Sequence, residues 1–182
     1  MTARRGSVSM PVALSVARAS KPVKLTRPGV LKSAEADMHR IGIIPFDMRG
    51  EAIALLFVTS QTRGRWILPK GSQKPDETHV ETCCREGFEE AGVRGSVLED
   101  YPFTVTITKQ TERGKDLVPV TYYPFLVTEQ IDEWPEMEKR QRHWALIEDS
   151  ARVAYSEDYL FLIHQFERLK PWIRESAVAR RS

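Results

Sequence analysis

Cysteine is nearly absent from this 182-residue chain, and the only two, Cys83 and Cys84, are adjacent. Such a pair builds neither a disulfide framework nor a Cys-rich zinc site. It fits a reducing compartment, and a cytoplasmic location is the expectation. Long apolar runs are missing as well. None reaches the ~18 residues of a membrane helix, so no spanning segment and no membrane partner are expected. The four histidines show no metal-ligand spacing. Acidic residues are absent from the first 34 positions, although the whole chain carries 27 Lys and Arg against 25 Asp and Glu.

That near balance conceals two unlike parts. Residues 1–40 hold eight basic side chains, and Glu35 and Asp37 are their only acids, a net +6. The remainder is net −4. With Pro11, Pro22 and Pro28, several serines and no sustained period, residues 1–38 read as a basic, disordered arm. A mitochondrial-type presequence shares that composition and stays open as an alternative. Residues 39–172 read as the folded domain and 173–182 as a short basic tail.

From Ile41 the composition changes to short runs rich in β-branched and aromatic residues. Residues 41–46 and 52–58 read as a hairpin around Gly50. Residues 66–68 form a short strand stopped by Pro69. Residues 103–108 alternate apolar and polar, the period of a half-buried strand. Residues 118–127 form another, and Pro119 and Pro124 argue for an edge or a bulge there. Residues 144–147 are a further short apolar run. One helix spans about 78–92 and a second about 157–169, with Tyr159, Leu162, Ile163, Phe166 and Leu169 as its apolar stripe. Strands and helices without βαβ alternation make an α+β domain.

The first helix carries the chemistry. Thr78 and Glu81 fit a capping box, and Gly92 stands where a left-handed cap belongs. Val80, Cys83, Cys84, Gly87, Phe88 and Ala91 share one face. Glu86, Glu89 and Glu90 share another arc, at spacings i, i+3 and i+4. Like charges so placed repel, by a few tenths of a kcal/mol (about 0.2–0.5). The cluster is either a solvated acidic face or a site for a hard divalent cation, which takes oxygen ligands.

The preceding loop decides between them. Gly71, then Glu77, then Arg85-Glu86, then Glu89-Glu90, Gly92 and Val93 resembles the 23-residue signature of the Nudix hydrolases. All its fixed polar and glycine positions are met. Gly87 stands where an apolar residue is usual and reads as close helix–sheet packing. The resemblance implies a mixed β-sheet sandwiched between helices (α/β/α), and water attack on a diphosphate with Mg²⁺ or Mn²⁺. It implies Glu86, Glu89 and Glu90 as metal ligands, with Glu86 as the base, and a backbone carbonyl near Gly71 as a further ligand. Arg85 would pair with Glu77 and tie loop to helix.

Residues 127–134, 139–144 and 147–151 look like the diphosphoinositol polyphosphate phosphohydrolase branch, which also hydrolyses diadenosine polyphosphates. Lys70-Gly71-Ser72 departs from that branch's glycine run and is closer to dinucleoside polyphosphate hydrolases. The resemblance covers about residues 40–170 and implies a small-molecule polyphosphate substrate. ADP-ribose, nucleotide sugars or an RNA 5′ end are the alternatives within the enzyme class, the last being the one nucleic-acid partner considered. A nucleotide-sensing module is the non-enzymatic alternative. Basic residues around the box fit a polyanion. Arg65, Lys70, Lys74 and Arg142 are the substrate-binding candidates, Arg63 and Arg140 are their neighbours, and Arg113 lies in the next long loop. Glu112 and Glu129 are candidates for a further carboxylate.

Overall fold

The computed structural model describes residues 40–111, 114–154 and 156–181. The basic arm, Glu112 and Arg113 lie outside the described residues. Among the described residues eight strands form one mixed sheet: β1 (Arg40–Arg49), β2 (Ala52–Thr59), β3 (Trp66–Ile67), β4 (Lys70–Ser72), β5 (Val93–Val97), β6 (Phe103–Thr111), β7 (Gly114–Gln130) and β8 (Arg142–Leu146). The helices are α1 (His79–Ala91), the four-residue α2 (Ser150–Val153) and α3 (Glu157–Arg181). The central path runs β3-β2-β1-β7-β5, while β4, β6 and β8 pair with β1, β7 and β2.

The strand period divides the core between the two faces. Ile41, Ile43, Leu56 and Val58 point one way, onto Cys83 and Ala91 of α1. Ile44, Phe46, Leu55 and Phe57 point the other way, onto Tyr159, Leu162, Ile163 and Phe166 of α3. The result is an α/β/α sandwich, as the resemblance implied.

Strand β7 is not at an edge. It pairs in parallel with β1 on one side and antiparallel with β6 and β5 on the other. The two prolines fit because of where the partners change. Pro119 pairs with β6 before the β1 register begins at Val120. Pro124 falls where β6 pairing has ended at Tyr122 and β5 pairing starts at Phe125. A missing N–H there disrupts no ladder bond on that side.

Helix α3 does not stop at Leu169 as the sequence implied. It continues through Pro171 to Arg181, so residues 173–181 are helix rather than tail. An interior proline costs about 3 kcal/mol. The far half offsets this by tertiary contact: Ile173 and Ala177 are fully buried. Arg174 donates to the Gly50 carbonyl and to Glu51, and Arg181 to the Met48 carbonyl and to Asp47. Among the described residues no helix is long and apolar enough to cross a membrane.

Candidate active site

The loop from β4 enters α1 through a cap of the kind the sequence implied. Thr78 Oγ1 accepts from the Glu81 N–H, and the Glu81 carboxylate accepts from the Thr78 N–H. At the other end Gly92 is left-handed, at φ 61°. Gly87 allows the close approach expected of it, since a Cβ there would sit 3.0 Å from Ile43 Cδ1. Cys84, placed on the core face by its spacing, is exposed; Cys83 alone is buried. The helix turns Glu86 and Glu90 inward beside the sheet, and both are buried. Glu89 faces outward, with its side chain 40% exposed.

Arg85 organises the loop against these carboxylates. Its Nε and Nη2 donate to the two oxygens of Glu77 at 2.6 and 2.8 Å, a bidentate fork. Nη2 also donates to the Ser72 carbonyl, and Nη1 reaches Glu86 at 2.5 Å and Glu89 at 3.1 Å. The guanidinium holds the Glu77 carboxyl down at about 2. Burial pushes Glu86 up, against the pull of Arg85.

Glu90 is gripped at both oxygens. Oε2 accepts the Lys70 N–H at 3.0 Å, and Oε1 pairs with Nη2 of the buried Arg140. Burial still pushes its carboxyl up to about 7. Gly71 follows Lys70, and a Cβ there would overlap the Glu86 carboxylate.

The Lys70 side chain runs into a cleft of about 200 Å³ lined by Arg40, Arg63, Arg65 and Lys70. No carboxylate lines it among the described residues. The Lys70 ammonium stands 5.9 Å from the centre of the Tyr159 ring.

The NUDIX domain family model matches residues 38–165. The chain belongs to this family. Nudix hydrolase 16, mitochondrial, of Arabidopsis thaliana is 31% identical over 154 residues, which cover 75% of this chain and 86% of that one. Diphosphoinositol polyphosphate phosphohydrolase 3-beta of Bos taurus is 32% identical over 122 residues, 65% of this chain and 70% of that one. A C. elegans Ap4A hydrolase, solved as a binary complex, superposes with a TM-score of 0.58 at 18% identity. It covers 74% of this chain and 98% of its own, a likeness of fold.

Of the substrate candidates around the Nudix box, the fold brings Arg65 and Lys70 into the cleft and leaves the other two outside it. Lys74 lies 3.8 Å from Glu77 on the exposed loop. Arg142 does not line the cleft. It donates to the carbonyls of Ile131 and Ala91 and stacks on Trp134, 3.9 Å from the ring centre. Its place on β8 aims it at the C-terminal end of α1, away from the carboxylates. Glu129 pairs with Arg94 instead of joining the cluster. Three residues absent from the favoured set come in, Arg63 among them as a lining residue of the cleft. Arg40, grouped by charge with the arm, opens β1 and lines the cleft. Arg140, only a neighbour of the favoured candidates in the sequence, reaches Glu90.

The donor set suits a hard divalent cation: carboxylate oxygens clustered on one helix, with Gly71 leaving room for one of them. As they stand, the described residues do not close three such ligands around one point. Glu86 and Glu89 are turned to Arg85, and Glu90 to Arg140.

Proposed function

We propose that this Nudix hydrolase cleaves phosphoanhydride bonds with a divalent cation, on dinucleoside polyphosphates or diphosphoinositol polyphosphates. The observation that carries the reading is the place of Lys70. Its N–H binds Glu90, and its side chain lines the cationic cleft, so an acidic centre and a polyanion site share one residue. Glu86, Glu89 and Glu90 would hold Mg²⁺ or Mn²⁺, which when bound neutralises diphosphate charge and makes a water more acidic. Glu86 takes the proton of the attacking water, and burial, which raises its carboxyl above the ordinary carboxylate range, makes it a stronger base. Arg85, anchored by Glu77, orients Glu86 and Glu89. Arg65 and Lys70, joined by Arg40 and Arg63, bind the phosphates that are not attacked.

The names of the relatives support the substrate classes, since one acts on diphosphoinositol polyphosphates and a structural neighbour on Ap4A. The purified chain should be assayed with Mg²⁺ and with Mn²⁺, identifying products. The panel comprises diadenosine polyphosphates, diphosphoinositols, ADP-ribose, nucleotide sugars, capped RNA and triphosphates. Turnover is expected on the first two classes. Tight nucleotide binding without turnover under either metal would make the chain a sensing module and overturn the reading. Cytoplasmic location is proposed with it, and fractionation of chains with and without residues 1–38 tests it.

A further inference from the structure

Arg140 lies 47 positions beyond the end of the Nudix box at Val93, yet it is one of the few buried charged side chains. Its guanidinium meets two elements and the loop before β8. Nη2 pairs with Glu90 on α1, Nη1 donates to the Thr59 carbonyl at the end of β2 at 2.8 Å, and Nε donates to Glu136 at 2.5 Å. Two more bonds hold the same corner: the Thr59 N–H donates to the Gln141 carbonyl, and the Gln141 N–H to Thr59 Oγ1. Thr59 directly precedes the turn that carries Arg63 and Arg65 into the cleft. One side chain therefore links a carboxylate of the centre to the root of the cationic turn.

We propose that Arg140 is a positioning residue for the reaction: it fixes the Glu90 carboxylate and sets its distance from the cleft's cationic turn. The inference rests on the metal-dependent reading above. Glu90 cannot rotate freely while both its oxygens are engaged, and the Lys70 N–H alone restrains only one of them. A fork of N–H groups in a fixed plane is what the task requires. Lysine keeps the charge and cannot reach three acceptors in that geometry.

The test uses the full chain with Arg140→Met and Arg140→Lys. Mn²⁺ binding is read from the spin-resonance signal of the free ion, with no substrate present. Turnover is read on diadenosine tetraphosphate and on a diphosphoinositol pentakisphosphate. Arg140→Met is expected to weaken Mn²⁺ binding and to lower kcat by about tenfold or more each, with KM held within about threefold. Arg140→Lys should recover part of both losses. A folded Arg140→Met chain that binds Mn²⁺ and turns over within about twofold of the parent would reduce Arg140 to packing and overturn the inference. Should Arg140→Met fail to fold, Arg140→Lys decides by the same readouts. A parent chain that binds no Mn²⁺ overturns the metal reading itself, and this inference with it. Mn²⁺ binding equal in parent and folded variants overturns this inference alone.

Discussion

Gly71 is held to glycine by a side chain rather than by its backbone angles, because a methyl there would occupy the space of the Glu86 carboxylate. Gly71→Ala should therefore displace a reacting group while leaving the core untouched. A displacement of about 1 Å costs on the order of a hundredfold in rate. The expectation is a kcat loss of that order with little change in thermal midpoint, read by steady-state kinetics beside calorimetry. Glu77 gives a second, independent check. Its carboxyl is held at about 2, below its ordinary 4.5, so the latch to Arg85 stabilises the fold above pH 4.5 and is lost as pH falls toward 2. In Glu77→Gln the midpoint should lie below the parent's at neutral pH, and the gap should close between pH 4.5 and 2. Glu90 carries the opposite sign. Its carboxyl is raised to about 7, so the metal-free fold binds an extra proton between pH 4.5 and 7 and loses stability as pH rises through that window. Glu90→Gln should flatten that limb of the midpoint-against-pH curve.

Helix α1 was legible almost residue by residue, because its cap, its carboxylate spacing and its terminal glycine are all local signals. Helix α3 was legible only to Leu169. Pro171 is a local stop signal, and what overrides it is distant: Ile173 and Ala177 in the core, Arg174 on the turn after β1 and Arg181 on the end of β1 itself. Ile173→Ala should cost about 2–5 kcal/mol in denaturant unfolding, the range for a buried large-to-alanine change. A loss below about 0.5 kcal/mol would mean that the far half of α3 contributes nothing to the core. The different surroundings of Arg140 and Arg142 were not legible in the sequence for a related reason. Both flank the same strand start, and spacing does not tell which guanidinium meets Glu90 and which meets the carbonyls at the end of α1. Strand β4 was hidden too, because three residues acquire strand character only by pairing with β1.

Across the whole chain the charge is uneven, net +6 over residues 1–40 and net −4 after them. The family match begins at residue 38, close to where the arm was expected to end. It stops at residue 165, whereas α3 runs on to Arg181, so the folded part exceeds the family's share of the chain. The fold class was readable because the box is contiguous, and the same contiguity put Glu86, Glu89 and Glu90 on one helix. The cleft was only half readable, because Arg40, Arg63, Arg65 and Lys70 meet through pairing of β1 with β4 and the turn after β2. On the proposed function, Glu86, Glu89 and Glu90 form the hydrolytic centre beside this cleft, joined to it through Lys70. The most direct test of that assignment is phosphoanhydride hydrolysis, with Mg²⁺ or Mn²⁺, by the parent and by the Glu86→Gln, Glu89→Gln double variant, each shown to be folded by its thermal midpoint. Turnover is expected in the parent, abolished by chelator and lost in the double variant. Turnover in the double variant equal to the parent's would contradict the assignment.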